Sequence, residues 1–87
     1  MPRISAFYGI SIYMYWNEGD HQVPHFHAHH GGRRASLSLE GAVLAGEVGA
    51  RELGLIREWA QLHGDELLAN WERARNAEIL VPIEPLP

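Results

Sequence analysis

Hydrophobic and polar positions alternate with period two through the first half of the chain and change to a helical period in the second. From residue 6 to residue 15 the even positions read Ala6, Tyr8, Ile10, Ile12 and Met14, the signature of one half-buried strand, with Gly9 as a bulge or bend. Asn17-Glu18-Gly19-Asp20 has the composition of a turn, and Pro24 delays the next strand to His25. In an extended stretch over residues 25–30, His25, His27 and His29 share one face, while Phe26, Ala28 and His30 share the other. Phe26 and Ala28 mark the core side. Gly31-Gly32 predicts a turn, after which Ala35, Leu37 and Leu39 point inward and Ser36 and Ser38 outward. Glu40-Gly41 predicts another turn before a short fourth strand over residues 42–47.

Leu55, Ile56, Trp59, Ala60 and Leu62 then form a helical stripe within residues 50–63, with Arg51, Glu52, Arg57 and Glu58 largely opposite. Gly64 is expected to end this helix and Asp65 to cap a second one, whose apolar stripe is Leu67, Leu68, Trp71 and Ala74. Residues 79–87 carry three prolines and are expected to be an extended tail packed on the body or on a partner. About four strands followed by two helices predict an α+β fold, a small antiparallel sheet with both helices packed on one face. The other face would then be open to a ligand, a substrate or a second subunit.

The chain has 87 residues, of which 46% are hydrophobic, including three Trp, three Tyr and two Phe. A chain of this size supports one core, so residues 1–87 are expected to be a single domain, and the apolar content argues against disorder. An exposed sheet edge and a small core favour a homodimer. The absence of cysteine excludes disulfides, thiolate metal sites and cysteine nucleophiles. No apolar run approaches the roughly 20 residues of a membrane span and the first residues lack a signal-peptide pattern, so a cytoplasmic location is expected. The net charge is −4 and there is no lysine, so binding nucleic acid through bulk charge is not expected.

Five of the six histidines lie between His21 and His30. Imidazole is the commonest transition-metal ligand and the side chain that titrates nearest neutrality, so the cluster is a candidate metal or proton-transfer site. In the metal reading His25 and His27 hold one ion, zinc foremost, with His21 from the preceding loop and Asp20, His29 or His63 as further ligands. A competing reading is ordinary hydrogen bonding or an oligomer interface. In the acid–base reading, which needs no metal, His25 and His27 are catalytic, Arg33 or Arg34 holds a phosphate, and the enzyme is a small ribonuclease; an enzyme using the metal instead would be a metal-dependent hydrolase. Trp59 and Trp71 belong to the core by their spacing. For His63 a helix-end role competes evenly with a site role, and Asn70 faces solvent or a partner.

His21-Gln22-Val23-Pro24-His25-Phe26-His27-Ala28, with Phe7-Tyr8-Gly9-Ile10 before it and Trp59, His63, Glu66-Leu67, Asn70-Trp71 and Ile83-Glu84-Pro85-Leu86 after it, resembles a small bacterial family catalogued as domain of unknown function 4160. The resemblance names relatives without naming a reaction. It implies membership of a two-gene, toxin–antitoxin-like module and therefore a protein partner encoded nearby. Val23 and His30 depart from the usual pattern, where a second proline and an aromatic residue are common. His21, His25 and His27 keep it.

Overall fold

The computed structural model describes residues 2–16 and 23–87. Five strands form one antiparallel sheet in sequence order: β1 (Arg3–Phe7), β2 (Ile10–Tyr13), β3 (His25–His30), β4 (Arg33–Ser38) and β5 (Val43–Glu47). Two helices follow, α1 (Ala50–Leu62) and α2 (Gly64–Arg75), giving the expected α+β architecture with one strand more.

The additional strand arises where a single one was expected. Tyr8 and Gly9 have φ of 50° and 77°, the paired left-handed geometry of a type I′ turn, and they reverse the chain between β1 and β2. Phe7 therefore lies opposite Ile10, and the inward parity changes at the turn. Ile10, Ile12 and Met14 are buried as expected, but Ala6 and Tyr8 are exposed, and Ile4, Ser5 and Phe7 are the buried residues of β1. The Tyr8 hydroxyl donates to the Pro87 carbonyl, tying this turn to the chain end.

Ile12, Phe26, Ala28, Leu37, Ile56, Trp59 and Leu67 are central in one cluster of buried apolar residues between the sheet and the helices. The Trp59 ring lies 5.4 Å from Phe7 and 5.7 Å from Phe26, so α1 seats directly over β1 and β3. Its indole N–H donates to the Glu84 carbonyl at 2.9 Å. Leu62, placed on the inner stripe by its spacing, is 63% exposed, and Leu68 is 50% exposed. The inner face of α2 is instead Leu67, Asn70, Trp71 and Ala74, the set that a helical repeat brings to one side.

The helix junction is a single residue. His63 (φ −122°, ψ 27°) leaves helical geometry, ends α1 and precedes α2, so Gly64 begins the second helix instead of ending the first. Asp65 is in the first turn of α2, not at its cap; its carboxylate there faces the positive end of the helix dipole.

Residues 79–87 are extended, with Leu80, Ile83 and Leu86 buried. Asn70 is fully buried and carries this segment: its side-chain N–H₂ donates to the Val81 carbonyl at 2.8 Å, and its oxygen accepts from the Val81 amide at 2.9 Å and from Arg73 at 2.9 Å. Further along, the Ile83 amide donates to the Ile4 carbonyl at 2.7 Å, placing the tail against β1. The indole of Trp16 donates to the Glu78 carbonyl. The tail thus covers the β1 end of the helical side. At the opposite edge of the sheet, all five residues of β5 are exposed.

Candidate functional site

The alternation that buries Phe26 and Ala28 under the helices sends His25, His27 and His29 to the other side of β3. The same parity on β2 and in the two residues after it sends Tyr13 and Tyr15 with them, since Ile12 and Met14 are buried. A contiguous row of rings results. Tyr13 stacks with Tyr15 at 6.2 Å between centroids, Tyr13 meets His29 at 4.6 Å, Tyr15 meets His27 at 4.6 Å, and His27 meets His25 at 5.1 Å. Tyr13, Tyr15, His27 and His29 are half-buried.

His25 differs from its neighbours. It is only 5% exposed, because Trp71 of α2 comes to 5.1 Å from its ring at the end of the sheet. Its Nδ1 lies 2.8 Å from the Val23 carbonyl, which can only accept, so Nδ1 carries the proton and Nε2 is the basic nitrogen in the neutral ring. Orienting one ring nitrogen through a backbone carbonyl is also how metal-binding and base-acting imidazoles are commonly held.

The two arginines expected to hold a phosphate are separated. Arg33 shares the parity of Ala35 and Leu37, and its guanidinium reaches the start of α1, near Gly49. Arg34 stands on the histidine side, paired with His29 across β3–β4 and with Glu47 across β4–β5. No carboxylate forms an ion pair with Arg34 among the described residues. His27, Arg34, Ala35, Ser36, Ala45 and Gly46 line a shallow depression of about 190 Å³ on this face. Small residues on β5 leave it open. Gly46 has φ +74°, and a Cβ there would lie 2.3 Å from the Arg34 carbonyl oxygen, so only glycine lets β5 approach β4 this closely.

Electrostatics follow this arrangement. Partial burial holds the His29 imidazole below its ordinary pKa, with the Arg34 guanidinium and His27 adding repulsion. His30, of opposite parity, turns toward α1 and approaches Glu52 at 3.9 Å. The Glu52 carboxyl is held below the usual range, first by its own backbone amide, with smaller contributions from Arg51 and His30.

His63 belongs to the helical layer, where its ring lies 5.7 Å from Trp59 and its Nδ1 is 2.6 Å from the Glu66 carboxylate. Asn70 faces neither solvent nor a partner; it is buried against the tail. Asp20 and His21 lie outside the described residues. Among the described residues no group of three or more His, Asp or Glu side chains is gathered in a way that could hold a metal ion. No helix among them is long and apolar enough to cross a membrane.

The family model described as a domain of unknown function, DUF4160, matches residues 9–72. The chain belongs to that family. The matched span of DUF4160 contains the whole ring row, the depression on β4 and β5, and both helices as far as Glu72; β1, the last residues of α2 and the whole tail lie outside it. No curated protein matches the chain, and no solved structure does.

Tyr13 and Tyr15 belong to the same row of rings, and the histidine count alone misses them. Their signal was the parity of Ile12 and Met14, and the parity of Ala35 and Leu37 likewise separates Arg33 from Arg34.

Proposed function

We propose that this DUF4160 protein is the component of a two-gene, toxin–antitoxin-like module that acts through a protein partner, and that the partner covers the histidine–tyrosine face. The observation that carries this reading is the asymmetry of the sheet. One face is sealed by α1, α2 and the tail, while the other presents half-buried Tyr13, Tyr15, His27 and His29 beside Arg34. Tyrosine and arginine are the residue types that most often anchor protein interfaces, and rings already packed on one another lose little conformational freedom on binding.

Co-expression with the product of the adjacent gene tests the proposal. A stoichiometric complex is expected, with its dissociation constant raised at least tenfold by Tyr13→Ala or His29→Glu and unchanged by the helix-surface variant Glu58→Gln. Absence of a complex, or a complex indifferent to both face variants, overturns it.

A second reading is divalent-metal binding at His25 and His27, supported by the bond from His25 Nδ1 to the Val23 carbonyl, which makes Nε2 the basic nitrogen of the neutral ring. In this reading His21 supplies the third ligand, with Asp20, His29 or His63 as a further one. Zinc at a hundredfold excess over its dissociation constant should stabilise the protein by about 3 kcal/mol. That gain should vanish in His27→Ala. No zinc in elemental analysis of untagged protein and no thermal shift would remove the reading.

A further inference from the structure

The depression between β3, β4 and β5 combines three features. Arg34 lines it, and the guanidinium of that residue stays protonated at any physiological pH. It has a hydroxyl and an imidazole beside that cation, since Ser36 is the cross-strand partner of His27 on the same face. It also opens directly onto the row of rings, as His27 is both a wall of the depression and the contact of Tyr15. The floor is bare because Ala45 and Gly46 carry almost no side chain.

An anion with tetrahedral oxygens satisfies the first two features. Guanidinium offers paired N–H donors that match phosphate, and the serine hydroxyl can donate a further hydrogen bond. The third feature calls for an attached planar, aromatic group. Sheets that bind single-stranded nucleic acid stack bases on exposed aromatic side chains and take the backbone phosphates with basic ones, and the stacking tolerates any base.

We propose that the His27–Arg34–Ser36 depression binds the phosphate of a nucleotide unit, free or within a single strand, whose base stacks on the row formed by His27, Tyr15, Tyr13 and His29. The binding is local and therefore compatible with the net charge of −4. It occupies the same face as the proposed partner contact, so ligand and partner exclude one another, but it is a property of the isolated chain and does not depend on the module reading.

Among the described residues, Glu47 is the competing anion. It is the cross-strand neighbour of Arg34 on β5, and no ion pair joins the two. Removing its charge should strengthen the site.

The test is an NMR titration of the isolated full chain with inorganic phosphate, AMP and a ten-residue oligouridylate in turn. Shift changes are expected at His27, Arg34, Ser36, Tyr13 and Tyr15, and affinity is expected to rise by at least tenfold from phosphate to AMP. Equal affinity for AMP and the oligonucleotide assigns the site to free nucleotides; a tighter oligonucleotide assigns it to a strand. In the second case each phosphate contact contributes a slope of about −0.7 to the logarithm of affinity against the logarithm of salt.

Arg34→Gln should weaken AMP at least tenfold, and Glu47→Gln should strengthen it severalfold. Ala45→Glu should abolish binding by filling the depression with a carboxylate, with the fold unchanged by circular dichroism because Ala45 is exposed. No shift changes on this face, affinity no greater for AMP than for inorganic phosphate, or binding indifferent to both Arg34→Gln and Ala45→Glu, overturns the proposal. Formation of the partner complex is measured separately, so failure of one leaves the other standing.

Discussion

The two faces of the sheet are built from the same strands by the same alternation, yet they are packed differently. On the covered face, Phe7, Ile12, Phe26 and Leu37 meet Trp59, Ile56 and Leu67, and the polar group placed among the helix residues, Asn70, is matched bond for bond to the tail. On the other face the rings of Tyr13, Tyr15, His27 and His29 pack sideways on one another, and nothing described lies over the depression beside them. The first arrangement stores stability, because large apolar surfaces leave water completely. The second holds rigid, half-exposed aromatic and basic groups, which is a disposition suited to recognition. The difference teaches that aromatic content alone does not separate core from site in this chain; the partner of each ring does.

The largest expected effect lies on the covered face. Trp59→Ala removes a fully buried ring together with its bond to the Glu84 carbonyl, and should cost about 3–5 kcal/mol in urea denaturation. His29→Ala, which removes a ring of the open face, should cost less than about 1 kcal/mol. Comparable costs for the two variants would break the division between faces.

Asn70→Ala gives a smaller but more local effect. It leaves the Val81 amide and carbonyl without their partners and should cost about 1–3 kcal/mol. Hydrogen exchange at Val81 and Ile83 should accelerate with it, because the tail loses its anchor on α2. Unchanged exchange at both amides would mean that the tail is held by apolar contacts alone.

The smallest effect is a titration. His29 should titrate below 6.5 in the folded chain and near 6.5 when unfolded. The unfolded state then takes up its proton first as pH falls, so this residue's contribution to stability is complete above 6.5 and declines from there down through its folded pKa. Arg34→Gln should raise the His29 pKa only partway, since burial is the larger cause. Following the ring protons by NMR checks this, and a His29 pKa at or above 6.5 in the native protein would remove the electrostatic distinction of the open face.

Much of the architecture was readable because side-chain periodicity is imposed by backbone geometry. The inward positions Phe26, Ala28, Ala35 and Leu37, the turn at Gly31-Gly32 and the burial of Trp59 and Trp71 follow from periods of two and 3.6 residues. The Tyr8-Gly9 reversal did not announce itself, because the usual asparagine or aspartate before glycine is replaced by a bulky tyrosine in a left-handed conformation. The junction at His63 was misplaced by one residue, since glycine is commoner after a helix than at the start of one.

By itself, the sequence determined which residues share a face, because adjacent side chains on a strand must point to opposite sides. It thereby determined that histidines 25, 27 and 29 lie together and that the α+β layers have one apolar seam. Only the tertiary structure decided that Trp71 closes over His25, that Arg34 and Ser36 come beside His27, that Gly46 keeps β5 tight against β4, and that Asn70 receives the tail. Those contacts join residues from different elements, and their geometry depends on how the elements pack, which no local period encodes.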